Sequence, residues 1–165
     1  MNKNKKKVCV IGLGFVGSAM LISIANKCYD KFNLIGIEKN NLKGKEVINK
    51  LNNGIFPIST NDKLIIKLCR KLALKKKYYC TTDIKQIENA EIIIIDINLD
   101  LKKNNIKDPQ IKIKKYLDSF NKILKHVRSS PLFIIQTTLP PGFTDHYIRP
   151  IIQKNLNKNK ININQ

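Results

Sequence analysis

Short unbroken apolar runs alternate along this chain with stretches of helical spacing. Val8, Cys9, Val10 and Ile11 form the first run, between lysines and a glycine. A run too short for a helix and lacking polar alternation predicts a strand buried on both faces. Residues 15–25 follow as a helix-compatible apolar segment that ends near Cys28. Residues 32–38 read as a second strand. Residues 40–51 read as a helix with Leu42, Val47, Ile48 and Leu51 on its apolar face. Asn52, Asn53 and Gly54 stop that helix, because both residue types tolerate the left-handed conformation. An extended connection over 55–58 leads to four N-cap candidates, Ser59, Thr60, Asn61 and Asp62. The next helix carries Leu64, Ile65, Leu68, Cys69 and Leu72 on one face.

The pattern then repeats. Residues 77–81 predict a short strand and 83–89 one or two helical turns. Residues 91–97 are the most apolar run, and their β-branched character suits a central parallel strand. A polar loop over 98–110, with Asp108-Pro109 inside it, leaves that strand's carboxyl end. Residues 111–127 give the clearest amphipathic helix, with Tyr116, Leu117, Phe120, Ile123, Leu124 and Val127 recurring at helical spacing. Ser129, Ser130 and Pro131 break it, residues 132–136 predict another buried strand, and 143–155 a last helix. Residues 160–165 alternate like the start of a sixth strand. Strand and helix alternating in this way predict an α/β fold, a doubly wound parallel sheet of Rossmann type with helices on both faces.

The first strand runs directly into Gly12-Leu13-Gly14-Phe15-Val16-Gly17, a G-x-G-x-x-G spacing that opens a helix. Strand, glycine turn and helix in this order are the context a dinucleotide fingerprint requires. Gly12 permits the tight turn, Gly14 the approach of a pyrophosphate, and Gly17 close packing of helix on sheet. The helix N-terminus then offers free N–H groups and a positive dipole end to the phosphates. Glu38 closes the second strand about 20 residues past Gly17, where an acid accepts hydrogen bonds from the adenosine ribose. An acid there repels a 2′-phosphate, so NAD is favoured over NADP, with Lys39 and Lys43 nearby pulling the other way. Ile97 ends one strand and Asn98, Thr137 and Thr138 follow strand carboxyl ends, the side on which open α/β sheets bind ligands. His126 and His146 are assigned no chemistry.

Composition changes this picture little. Thirty-one Lys and Arg against 12 Asp and Glu give a formal net charge of +19. Lysine, asparagine and isoleucine are spread everywhere, without an arginine-rich stripe or interleaved aromatics, so nucleic-acid binding is not expected. A basic surface still attracts an anionic nucleotide. The cysteines Cys9, Cys28, Cys69 and Cys80 form no C-x-x-C pair and have no histidine at ligand spacing. Neither a disulfide framework nor a metal site is expected, and a cytoplasmic setting fits. The lysines before Val8 imitate a signal peptide or membrane anchor, but the glycine spacing and the α/β pattern argue against both.

Five blocks in order resemble the UDP-glucose/GDP-mannose dehydrogenase family, in its N-terminal NAD-binding domain. They are Val10 to Gly17, Glu38 with Lys43, Asn53-Gly54-Ile55-Phe56-Pro57-Ile58, Thr81-Thr82-Asp83 followed by Ala90-Glu91, and Gln136-Thr137-Thr138-Leu139-Pro140-Pro141-Gly142. The resemblance implies a nucleotide-sugar dehydrogenase that oxidises a UDP- or GDP-sugar alcohol to the carboxylate with NAD, through a covalent cysteine intermediate. It implies cofactor contacts at Gly12, Leu13, Gly14, Phe15, Val16, Gly17, Glu38, Lys43, Ile97, Asn98, Thr137 and Thr138. Thr138 matches the threonine near the nicotinamide that helps place the catalytic water.

The chain departs from that pattern in three places. Asn98-Leu99-Asp100-Leu101 stands where the family has a T-P pair, and Gln136 where it has Glu. None of the four cysteines has the family's glycine-rich context. Residues 1–156 are therefore expected to be the NAD-binding domain and 157–165 a polar linker with the start of a sixth strand. The chain is expected to be cut before the middle and sugar-binding domains and inactive alone, with homodimerisation left to that middle domain. A stand-alone nucleotide-binding or redox-sensing module is the alternative.

Overall fold

β1 (Lys6–Ile11) lies at the centre of the sheet because its apolar residues point both ways. Val8 and Val10 enter the core on one face, and Cys9 and Ile11 the core on the other. The computed structural model describes residues 5–98, 101–102, 110–111 and 113–158.

The chain continues through α1 (Phe15–Cys28), β2 (Phe32–Ile37), α2 (Leu42–Asn52), α3 (Lys63–Leu74) and β3 (Tyr79–Thr81). A 3₁₀ turn (Ile84–Ile87) precedes β4 (Ile92–Ile95). Then come the short pair β5 (Leu101–Lys102) and β6 (Gln110–Ile111), α4 (Ile113–Leu124) and β7 (Leu132–Ile135). A wide π turn (Thr144–Ile148) opens α5 (Arg149–Lys158). The main sheet is parallel throughout, in the order β3-β2-β1-β4-β7. The chain runs from β1 outward to β2 and β3 on one side, then crosses back to β4 on the other side of β1. That reversal opens a crevice at the carboxyl ends of β1 and β4, directly above the glycine turn.

Each face of the sheet has its own core. Val8, Val10, Leu34 and Ile94 pack with Leu21, Ile22 and Ala25 of α1 and with Cys69 and Leu72 of α3. Cys9, Ile11, Ile93 and Ile95 pack with Phe120, Ile123 and Leu124 of α4 and with Leu156 of α5. The edge strand β3 is closed by a side chain. Asn52 Nδ2 donates to Cys80 O, and Cys80 N–H donates to Asn52 Oδ1, both at 2.9 Å. The amide thus takes the place of a further strand on an otherwise open edge.

Four sequence expectations are corrected. Leu42 is 89% exposed, because the inward face of α2 is set by Gly44, Val47, Ile48 and Leu51, and Leu42 lies about 200° around the helix from Gly44. Leu64, in the first turn of α3, stays outside the core at 65% exposed. β7 is a border strand, not a buried one. Leu132 and Ile134 share the face of Ile92 and Ile94 but are 59% and 38% exposed, since among the described residues β7 is paired only with β4. Finally, residues 101–102 and 110–111 form an antiparallel pair, too short for a periodic signal, where the sequence reads a loop over 98–110 and a helix from 111. Asp108-Pro109, Leu99-Asp100 and the sixth strand over 160–165 lie outside the described residues. Among the described residues, no helix is long and apolar enough to cross a membrane.

Candidate functional site

The glycine turn is fixed by what surrounds it. Gly12 has φ +91°, a conformation that favours glycine, and a Cβ there would collide with the Asp96 carbonyl. Its N–H donates to Ile37 O at 2.9 Å, which ties the turn to β2. Leu13 is buried in the core, and Ser18 Oγ donates to Leu13 O at 2.9 Å. A Cβ on Gly17 would collide with the Gly12 carbonyl, so strand end and helix start touch through backbone alone.

Gly14 is different. It is the N-cap of α1, has no side-chain cap, and a Cβ on it would meet nothing within 4 Å. Phe15 and Val16, the next two residues, are 49% and 50% exposed. Their N–H groups belong to the first helical turn, which holds no intrahelical acceptor for them. The Phe15 ring rests edge-on against Phe56, with centroids 5.8 Å apart. This open, uncapped helix end can receive an anion.

Glu38 bends back over the turn. Its Oε2 accepts the Leu13 N–H at 2.7 Å, and its Oε1 accepts the Lys39 N–H at 2.8 Å. Gly44, which sequence reasoning passed over, supports this arrangement. A Cβ there would collide with the Lys39 carbonyl and lie 3.1 Å from Glu38 Cγ, so only glycine lets α2 start so close. A glycine inside an otherwise helical pattern was the available signal. Lys43 is exposed beside Glu46, and among the described residues no ion pair joins it to Glu38.

Asp96 was missed as well. It follows β4, and its Oδ2 accepts the Gly17 N–H at 2.6 Å. Burial holds its carboxyl above the usual range, the Gly17 N–H acts against this, and the Glu38 charge adds to the rise. The signal was an acid interrupting a run of isoleucines, where a buried charge needs a partner.

At the far end of the crevice, Ile97 is buried and Asn98 exposed. Thr137 Oγ1 donates to Ile97 O at 2.8 Å, which joins the segments after β4 and β7. Thr138 is exposed one residue further on. Among the described residues, the buried Tyr116 hydroxyl has no hydrogen bond of ordinary geometry; burial pushes its phenol up, with Thr137 beside it acting the other way. Among the described residues, Gln136 Oε1 is likewise buried without a partner. A cleft of about 480 Å³ is lined by Ile11, Ile37, Glu38 and Ile97 from the strand ends and by Ser119 and His126 from the α4 side. The glycine turn meets Glu38 through the Leu13 N–H, Glu38 and Ile97 line one cleft, and Thr137 is tied to Ile97, whereas Asn98, Thr138 and Lys43 are exposed outside that lining.

A parallel sheet with its direction change above a G-x-G-x-x-G turn, an uncapped helix end and an acid after β2 define a dinucleotide-binding domain of Rossmann type. Open space before Gly14 fits a pyrophosphate, and the Glu38 carboxylate retains lone pairs for ribose hydroxyls. The chain belongs to the UDP-glucose/GDP-mannose dehydrogenase family, as its NAD binding domain; the family's model matches residues 6–165. It is 28% identical over 149 residues to the UDP-N-acetyl-D-mannosamine dehydrogenase of Methanococcus vannielii, covering 90% of this chain and 32% of that protein. It is 26% identical over 152 residues to the UDP-glucose 6-dehydrogenase of Rickettsia felis, covering 92% of this chain and 31% of that one. In fold it is similar to the NDP-N-acetyl-D-galactosaminuronic acid dehydrogenase of Methanosarcina mazei, with TM-score 0.79, 23% identity, and coverage of 93% and 32%. The chain spans about a third of the length of the curated relatives it matches.

Proposed function

We propose that this chain holds NAD for the oxidation of a nucleotide-sugar alcohol to its carboxylate, with the sugar carried by a UDP or GDP group. NAD, when bound, supplies the hydride acceptor. The chain's own residues bind and orient it. The amides after Gly14, on Phe15 and Val16, receive the pyrophosphate, while Gly12, Leu13 and Gly17 give the turn its shape. Glu38 accepts from the adenosine ribose and disfavours a 2′-phosphate, with Lys43 at the margin. Ile97 and Asn98 border the nicotinamide end together with Thr137, and Thr138 there helps place a water for the second oxidation.

The observation that carries this reading is the contrast among the glycines: Gly12 and Gly17 are required by backbone contacts, whereas Gly14 faces open space at a helix end. The nucleotide-sugar substrate and a homodimeric assembly rest on the family alone. A cytoplasmic setting is consistent with four free thiols. Titration with NADH, followed by fluorescence, tests the cofactor site. Saturable binding of NADH that exceeds binding of NADPH is expected, and a folded chain that binds neither would refute it. For the substrate, the chain is mixed with the complementary portion of a relative, and NADH formation is followed with UDP- and GDP-sugars. Turnover with neither class counts against the assignment.

A further inference from the structure

α1 has no acidic residue of its own in its first turn and no side-chain cap at Gly14. Its Gly17 amide is nevertheless taken by a carboxylate 79 residues away, just past the end of β4, Asp96 Oδ2 at 2.6 Å. The contact is built in on both sides. The Asp96 carbonyl closes the space that a Gly12 Cβ would need, and its Oδ2 lies 3.1 Å from where a Gly17 Cβ would stand. An acid is thus fixed one amide below the helix end that receives the cofactor's pyrophosphate, and the charge acting on it from β2 is that of Glu38.

We propose that Asp96 determines how tightly this site holds its cofactor: its carboxylate is a resident anion beside the helix end, competing for the same positive dipole as the pyrophosphate. The proposal rests on the dinucleotide reading of the crevice and goes beyond it, because binding alone does not call for an acid here. Helix N-termini favour anions, but two anions held close together repel each other. Asp96 therefore orders the turn through the Gly17 N–H and at the same time weakens the pyrophosphate contact. The cofactor is exchanged readily, not retained.

The test compares the unmodified chain with Asp96→Asn, which keeps an oxygen for the Gly17 N–H and removes the charge. Asp96→Ser serves as a second neutral variant should the first fail to fold, with circular dichroism melts as the check on folding. NADH binding is measured by fluorescence at low and high salt, and ADP-ribose and adenosine are used as competitors. We expect NADH and ADP-ribose to bind the neutral variant about tenfold more tightly at low salt. The gain should shrink as salt rises, and adenosine, which has no phosphate, should be unaffected. Equal or weaker NADH binding by a folded neutral variant overturns the proposal, as does an equal gain for adenosine, which a purely structural effect would produce. If neither the unmodified chain nor any variant binds NADH, the cofactor site itself is wrong, and the proposal falls with it.

Discussion

Glu38 and Asp96 grip the glycine turn from opposite sides. Glu38 Oε2 takes the Leu13 N–H at 2.7 Å from the β2 side, and Asp96 Oδ2 takes the Gly17 N–H at 2.6 Å from the β4 side. Two acids therefore shape a loop whose ligand is anionic. In the proposed site their roles divide by position, Glu38 facing the ribose hydroxyls and Asp96 lying beneath the helix end offered to the phosphates.

Replacing Glu38 should separate these roles. Glu38→Ala removes a charge-assisted hydrogen bond to Leu13 and the proposed ribose acceptor, interactions worth about 1.5–3 kcal/mol each. NADH affinity should fall at least tenfold, while the penalty against NADPH disappears. Titrating both cofactors checks this, and an unchanged preference would remove Glu38 from the cofactor site.

The glycines give a second contrast. In Gly17→Ala, the new methyl meets the Gly12 carbonyl, which is backbone and cannot swing away. The cost should be about 2–4 kcal/mol of stability, read as a lowered midpoint in urea. Gly14→Ala places its methyl in open space, so the midpoint should stay within about 0.5 kcal/mol of the original. Its effect should appear in NADH binding instead, as a loss of tenfold or more. A Gly14 variant that both folds and binds normally would place the pyrophosphate elsewhere.

How much of this could be read in the sequence depends on where each residue gets its constraint. The central strands were legible because Val8 to Ile11 and the isoleucines of β4 are apolar on both faces, a property of the local run. The glycine turn and Glu38 were legible because their spacing is itself the signal. β7 was misjudged because its four apolar residues look like those of β4, and only its place at the sheet border exposes Leu132 and Ile134. Asp96 and Gly44 went unrecognised for a related reason. Their partners, Gly17 and Lys39, are defined by the packing of one element on another, which no window of sequence contains.

Thiol reactivity offers a check on the cores. Burial pushes the Cys9 thiol up to about 12, with Lys7 acting weakly against it. Burial raises Cys80 too, and raises Cys69 against a lowering hydrogen bond from Tyr78. A thiol held neutral and covered reacts slowly. At about pH 8, the native chain should present Cys28, which is half-buried, to a thiol reagent well before the other three. All four should react in denaturant, and a Cys28→Ser variant should lose the fast phase. Rapid labelling of Cys9 or Cys80 in the native chain would mean that the sheet opens.

Asp96 makes a prediction about stability that is independent of any ligand. Its carboxyl is raised in the folded chain, by burial first and by Glu38 as well, with the Gly17 N–H only partly compensating. A carboxyl whose folded value lies above its unfolded value binds its proton more tightly in the native state. Its contribution to stability is therefore full below the unfolded value and declines as pH rises through the folded one. Asp96→Asn is neutral at every pH and resembles the protonated acid. The variant should be more stable than the unmodified chain at pH 7, by less than about 1 kcal/mol because the carboxylate is partly solvated. The gap should narrow toward pH 4, while the other carboxylates titrate alike in both proteins and cancel. Urea midpoints for the pair between pH 4 and pH 7.5 measure it. A gap that stays constant, or that widens on acidification, would mean that the Gly17 bond outweighs the cost of the charge. A gap of the expected sign would mean that the fold keeps a destabilising acid at its cofactor site, which is where such groups are found when function maintains them.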